Sequence, residues 1–365
     1  MTPSSRFDQL VDGTIAILQH RNSASGVFHT CVRRLKQFLL VASVAYSAWI
    51  ISLSALLRYH GERSIVGAVL IYVPQQLWLL PLIILTPASL LLERRALFFQ
   101  LVTVLCVVVG LMGFCWGQRP TPAGQILTVL TNNRGQDNRQ SLTPFLQAQN
   151  ADIALFQEDG RAAAFRTAYP DRYCASLGEF TIVSKFPLGA SKLVHFGDKK
   201  PIAARWEVLF PKHVVIVYNV HFPTPRRDLA DGRRSAFRAL MMRPRLRWQE
   251  ELQVNWSSRI DSARQFAELI ESEASACIVG GDFNAPTCGF VYRELTSRFR
   301  DSFADSGRGF GFTFPGDSRN PLTLFGPWLR IDHILANRHL TALSATVEPG
   351  RRSQHRAAVA RFELR

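Results

Sequence analysis

Acidic residues are scarce in this chain of 365 residues: 28 Asp and Glu stand against 43 Lys and Arg, a formal net charge of +15. Such a balance favours anionic partners, nucleic acid or acidic lipid head groups, and leaves the fold open. Cysteine is equally uninformative. Of six cysteines, Cys106 and Cys115 fall in an apolar segment, and Cys174, Cys277 and Cys288 form an odd set without metal-ligand spacing. A disulfide framework and a zinc site are thereby excluded as organising devices. There is no internal repeat and no low-complexity tract, which removes solenoid arrays and compositionally disordered chains.

Long apolar runs are abundant, all in the first third. "FLLVASVAYSAWIISLSALLRY" (38–59), "IVGAVLIYVPQQLWLLPLIILTPASLLL" (65–92) and "ALFFQLVTVLCVVVGLMGFCW" (96–116) each approach the length of helix that crosses a hydrocarbon core. Pro74, Gln75, Gln76, Pro81 and Pro87 interrupt the second, so a kinked span and a re-entrant piece both satisfy its backbone. A cleaved signal peptide is disfavoured because the first run starts late and two more follow. With three spans, Arg6, Arg21, Arg33, Arg34, Lys36, Arg94 and Arg95 lie on one side. Arg58, Arg63, Arg119 and Arg134 lie on the other. The positive-inside rule then puts the N-terminus in the cytoplasm and the C-terminal domain outside the plasma (inner) membrane. With two spans, that domain would face the cytoplasm. The expected organisation is a tail (1–37), a transmembrane region (38–116), a linker "GQRPTPAG" (117–124) and a folded domain (125–365).

Nine of the 43 basic and four of the 28 acidic residues precede residue 117, leaving the rest of the chain at a net +10. Over half of that excess sits in 225–249, where eight arginines face Asp228 and Asp231. A phosphate-holding or membrane-lying surface and a solvated loop are equally good readings of it. The domain alternates strand-like pieces, "QILTVLT", "ADIALFQE", "EFTIVSKF", "ARWEVLF", "HVVIVYNVHF", "ACIVGGDFN", "RIDHILA" and "AAVARFEL", with helical spacing at 139–150 and 259–274. Strands outnumber helices and most are too close for helical crossovers, so two packed sheets flanked by helices are expected.

The strand ends carry the polar chemistry. Asn132 and Asn133 follow the first, Gln157 and Glu158 the next, and Asn219 and His221 close a third. Asp282 and Asn284 follow the double glycine, Asp332 and His333 open another strand, and Gln354 and His355 precede the last. Singly, each suits a turn or cap. Together they describe one cleft at one end of a sheet sandwich.

In order and spacing, "LTVLTNN", "ADIALFQE", "GEFTIVSKFPL", "VYNVHFPTP", "IVGGDFNAP", "RIDHILA" and "SQHRAAVARFEL" resemble the motif series of the endonuclease/exonuclease/phosphatase (DNase I-like) superfamily. The resemblance covers residues 125–365 and implies a four-layered α/β sandwich and a metal-dependent phosphoesterase. The metal is usually Mg²⁺, with Mn²⁺ or Ca²⁺ as substitutes. It further implies that Glu158, Asn133 and the position of Gln354 lie on the metal side, and that Asp282 orients or deprotonates the attacking water. Asn284 would bind the phosphate, His221 assist the leaving oxygen, and Asp332 hold His355 charged towards the phosphate. His333, where relatives often carry an aromatic residue, is expected to serve packing. Relatives usually have Asp where this chain has Gln354, so one negative charge is missing. The activity so implied is hydrolysis of a nucleic-acid or phospholipid phosphodiester; the alternative is a weak or inactive membrane module that binds anionic ligands. "WLRIDHI" (328–334) lacks the Trp-Cys-Asp-Arg run of the 5-phosphatases, and an extracytoplasmic domain disfavours abasic-site repair.

Overall fold

The computed structural model describes residues 4–364 apart from 136–137, 139, 197–199, 212, 225–245, 318–322 and 324–325. The arginine-rich segment 225–245 therefore lies outside the described residues. The chain divides into two units, Met1–Ser52 with Gln76–Val107, and Leu53–Gln75 with Val108–Arg365.

The first unit is helical. Two stretches, Phe28–Tyr59 and Gln75–Leu92, are long and apolar enough to cross a membrane, and Ala96–Leu111 is a shorter apolar helix. Its polar side chains turn inward. Gln100 Nε2 donates to Ser43 Oγ at 3.0 Å and Ser89 Oγ at 2.8 Å, and Ser47 Oγ lies 2.8 Å from Thr103 Oγ1. Small residues bonded across helices are how apolar helices associate where hydrophobicity cannot drive them. The apolar stretch 65–92 is not one helix. Ser64 caps a short helix, Ile65–Leu70, through the Gly67 N–H, and helical structure resumes at Gln75 beyond Pro74. A proline lacks the donor and restricts the residue before it, which is why the run breaks there.

The second unit is built on two six-stranded sheets. In the first the order is β13 (Leu340–Val347), β14 (Ala358–Leu364), β2 (Ile126–Asn133), β3 (Ile153–Gln157), β5 (Phe180–Ser184), β4 (Tyr173–Leu177). In the second it is β10 (Arg300–Asp301), β12 (Asp332–Ala336), β9 (Cys277–Asp282), β8 (His213–His221), β7 (Ala203–Phe210), β6 (Leu188–Val194). A two-residue ribbon joins β1 (Cys115–Trp116) to β11 (Arg308–Gly309). Each large sheet has one parallel pair, β2 with β3 and β8 with β9, and is otherwise antiparallel. Parallel neighbours need a crossover, supplied by helices Thr143–Gln149 and Leu246–Glu271.

One apolar core lies between the sheets, with Leu127, Val129, Ile153 and Leu155 of the first meeting Trp206, Val217, Ile278 and Ile334 of the second. A second core packs the second sheet under helices Leu246–Glu271 and Phe290–Thr296, through Tyr218, Val279, Phe266 and Val291. A third packs the first sheet under Thr143–Gln149 and Ala162–Ala168, through Phe156, Val183, Phe165 and Leu146. The layering is helix, sheet, sheet, helix, the four-layered α/β sandwich. Each buried large side chain contributes about 1.5–3 kcal/mol, so an aspartate at Val217 would break the central core.

Topology explains why the polar residues meet. β2, β3, β8 and β9 end where β12 and β14 begin, so Asn133, Glu158, His221, Asp282, Asp332 and His355 emerge at one edge of the sandwich. Register tightens this: His221 pairs with Asp282 across the parallel ladder, and Asp282 with Asp332 across the antiparallel one.

Candidate active site

Two backbone outliers stand at this edge. Among non-glycine residues with positive φ, Asn150 (φ 46°) closes a helix, the ordinary use of a left-handed asparagine, but Glu158 (φ 55°) and Asn284 (φ 48°) follow the strands that carry the site. For Glu158 especially, this conformation costs on the order of 1–2 kcal/mol and is maintained by its surroundings. β9 comes close to β8 for a related reason: at Gly281 (φ 155°) a Cβ would lie 2.0 Å from the Val220 carbonyl oxygen. The double glycine before Asp282 lets that strand reach the cleft.

Asn133 links the two sheets. Its Nδ2 donates to Glu158 Oε1 at 3.1 Å and to Asp282 Oδ2 at 3.0 Å, while its Oδ1 accepts from the Gly135 N–H at 2.8 Å. Two carboxylates thus share one neutral donor. Among the described residues neither has a Lys or Arg partner; their ionic neighbours are His221 and His355. An oxygen-rich pair left without a fixed cation suits a hard divalent ion, and the Glu158 side of the cleft, with its 38% exposed side chain, is where one would be held.

Asp282 is the hub. Its Oδ1 accepts from the Asn284 N–H at 2.8 Å, and its Oδ2 lies 3.8 Å from His221 Nε2 and 3.9 Å from His355 Nε2. Both imidazoles point their outer nitrogen at the same carboxylate across gaps too long for a direct bond. Behind, each ring has its own acceptor. His355 Nδ1 lies 3.1 Å and 3.2 Å from the Asp332 oxygens, and the Phe314 ring packs on it at 4.9 Å. His221 Nδ1 lies 3.1 Å from Glu179 Oε1. Burial alone would strip the proton from His355, but the facing Asp332 and Asp282 carboxylates push it up to about 9. Burial lifts the Asp332 carboxyl above its usual range against the pull of that ring, and the pair retains a proton. His221 is likewise raised: burial opposes its charge, and Glu179, Asp282 and Glu158 overcome it. Glu179 is held low, chiefly by its bond to His221.

The structure brings Asn133, Glu158, His221, Asp282, Asn284, Asp332 and His355 into one cleft. Among the described residues, Asp282, Asp332 and His355 form a set whose ligand atoms all lie within 4.8 Å of one another. His355 Nδ1 is engaged by Asp332, so the ring turns Nε2 towards Asp282. Gln354 is half-buried beside them, its backbone carbonyl accepting from the Gly316 N–H at 2.6 Å. Asn284 Nδ2 donates to the Phe222 carbonyl at 3.0 Å. His333 is packed away, with Nε2 2.9 Å from the Ala285 carbonyl and its ring between Phe283 and Tyr292.

Sequence reasoning did not single out Glu179, because nothing in "GEFTIVSK" marks its one carboxylate as the partner of a histidine 42 residues later. Thr313 is a second such residue; its Oγ1 accepts from the Ile331 and Asp332 N–H groups at 3.3 Å and so fixes the start of β12.

Among solved structures, a humanised TDP2 from D. rerio is similar at 15% identity, covering 66% of this chain and 99% of that one, TM-score 0.48. An endonuclease/exonuclease/phosphatase from Bacteroides vulgatus is similar at 16% identity, covering 66% and 100%, TM-score 0.47. An AP endonuclease from Archaeoglobus fulgidus is similar at 16% identity, covering 64% and 98%, TM-score 0.45. Comparison with curated proteins gives no match. The profile of the Endonuclease/Exonuclease/phosphatase family matches residues 115–355, well over half of the sequence and the whole span of the cleft residues up to His355, and the chain belongs to that family.

Proposed function

We propose that the protein is a membrane-anchored, divalent-metal-dependent phosphodiesterase acting on a nucleic-acid or phospholipid phosphodiester. The observation that carries the reading is the placing of Asp282 between the outer nitrogens of His221 and His355 at 3.8 and 3.9 Å. One carboxylate then faces two imidazole nitrogens that it does not bond directly, so all three groups are available to a substrate that enters beside them.

In this reading Asp282 Oδ2 takes a proton from the attacking water, the role of a positioned general base. His355, kept charged by Asp332, donates through Nε2 to a phosphoryl oxygen, and His221, backed by Glu179, delivers a proton to the leaving oxygen. Asn284 binds the phosphate through its side-chain amide. Mg²⁺ (or Mn²⁺ or Ca²⁺), held by Glu158 and Asn133 with Gln354 nearby, would supply neutralisation of the phosphoryl charge. The net positive charge of the domain favours a polyanionic or anionic-lipid substrate.

The anchor is supported by two helices long and apolar enough to cross a membrane, Phe28–Tyr59 and Gln75–Leu92, and by the shorter apolar helix Ala96–Leu111. Taken as three crossings, they put the catalytic domain across the membrane from the N-terminus, outside the cytoplasm by the arginine distribution.

The test is turnover by the full-length protein in detergent. Substrates are bis(4-nitrophenyl) phosphate, DNA, RNA and phospholipid vesicles, each with Mg²⁺, Mn²⁺, Ca²⁺ or chelator. Metal-dependent hydrolysis abolished in Asp282→Ala is expected; no hydrolysis of any substrate, or hydrolysis that survives Asp282→Ala, sinks the proposal. A reporter fused after Arg365 and active only in the cytoplasm would overturn the placement of the domain.

A further inference from the structure

The loop Phe283–Ala285, which carries Asn284, has every carbonyl pinned. Arg259 Nη2 donates to the Phe283 carbonyl at 3.1 Å and also to the Asn284 carbonyl. The Ala285 carbonyl faces His333 Nε2. The Asn284 carbonyl receives a second donor, the phenol of Tyr72, 212 residues earlier in the chain. Tyr72 does not belong to the sandwich by sequence. It lies at the start of the second apolar run, between the apolar helices Phe28–Tyr59 and Gln75–Leu92, in the segment Leu53–Gln75 that folds into the second unit.

The rest of that segment is built in as well. Glu62, fully buried, accepts through Oε2 from the Phe290 N–H at 2.6 Å and the Val291 N–H at 3.3 Å, the free donors opening the helix that follows the Asn284 loop. The Arg63 guanidinium stacks over the Phe290 ring at 4.2 Å. Ala68 and Tyr72 pack on Trp256, whose ring also faces Arg259. A buried carboxylate is costly unless its lone pairs are used, and here the donors to Oε2 are backbone amides beside the site.

We propose that Tyr72 is a positioning residue of the catalytic site: its hydroxyl holds the Asn284 carbonyl and thereby maintains the left-handed backbone from which the Asn284 side-chain amide is presented. The proposal rests on the phosphodiesterase reading for its catalytic consequence, but not for its structural one. At φ 48°, Asn284 occupies a conformation that its own sequence favours only weakly. The Asn284 N–H that Asp282 Oδ1 accepts from at 2.8 Å shares its peptide plane with the Phe283 carbonyl, which Arg259 holds; the Asn284 carbonyl fixes the other side of the residue, and if it turned, the Asn284 side chain would lose its place. The segment between the spans is thus a structural part of the catalytic domain.

The experiment uses the full-length protein in detergent with Tyr72→Phe, which keeps the ring on Trp256 and removes only the hydroxyl, and Tyr72→Ala as a second variant. Hydrogen exchange of the 283–291 segment is followed together with kcat and KM on bis(4-nitrophenyl) phosphate in Mg²⁺. Tyr72→Phe is expected to speed exchange in 283–291 and to lower kcat about 5–30-fold, the effect of one lost buried hydrogen bond. KM and thermal midpoint should stay near those of the parent; Tyr72→Ala should lose both packing and activity. Parent-like exchange and kcat in Tyr72→Phe would overturn the proposal. A parent protein inactive on the ester would count against the phosphodiesterase reading alone, because the exchange comparison still decides whether Tyr72 holds the loop.

Discussion

The floor and the rim of the cleft repeat one device in different surroundings. On the floor, His355 is backed by Asp332, whose side chain is fully buried; at the rim, His221 is backed by Glu179, whose side chain is 45% exposed. Both rings point at Asp282. In water a carboxylate is screened and can be replaced by solvent, so the rim pair contributes about 0.2–1 kcal/mol. The buried pair has no such substitute, and removing one partner leaves a charge stranded. The comparison teaches that the same histidine–carboxylate couple is a fixed charge in one place and an adjustable orientation in the other.

Asp282→Ala, which removes the group both halves share, should lower kcat on bis(4-nitrophenyl) phosphate by about 10²–10⁴-fold, measured by steady-state hydrolysis. Behind the floor, Asp301 accepts from Tyr292 Oη at 2.6 Å and pairs with buried Arg330. Burial would raise the Asp301 carboxyl, but Arg330 and His333 drive it far below the ordinary range. Asp301→Asn should therefore cost about 3–5 kcal/mol, read as a lower thermal midpoint. Because the folded-state value is depressed, the contribution is complete above the ordinary carboxylate pKa and is lost only as pH falls towards the depressed one. The difference in midpoint should be flat from neutral to mildly acidic pH and shrink only in strong acid. Asp332→Asn should reduce kcat on the order of 10²-fold, whereas Glu179→Gln should cost no more than about fivefold. An equal loss in these two would erase the distinction between floor and rim. Finally, Gln354→Asp should reduce the half-saturating Mg²⁺ concentration; an unchanged value would put that side chain away from the metal.

How much of this was legible in the sequence follows from the range of each interaction. β2, β3, β5, β7, β8, β9, β12 and β14 announced themselves as apolar, β-branched runs, and their polar ends lie together as expected. β6 and β13 carry weaker signals: Leu188–Val194 is an edge strand mostly exposed to solvent, and β13 is interrupted by a bulge between Ala342 and Ser344. Helix Leu246–Glu271 begins 13 residues before the expected 259, because its opening turns are charged and show no apolar period. Asp332 and His355 belong to recognisable motifs, but Glu179, Thr313 and Tyr72 act through contacts set only by tertiary structure. In the second apolar run the interruption at Pro74 was legible; what composition does not show is that its residues up to Gln75 fall in the unit that carries the sandwich.

The Glu62 carboxylate also has a history in time. It is made 228 residues before the Phe290 N–H it accepts from, which at ordinary elongation rates is a wait of roughly 10–45 s. Through that interval an ionisable side chain that ends up without solvent contact lacks the backbone donors it will meet. A chain stalled before Phe290 therefore leaves the Glu62 carboxylate without the Phe290 and Val291 N–H groups that donate to it in the finished unit.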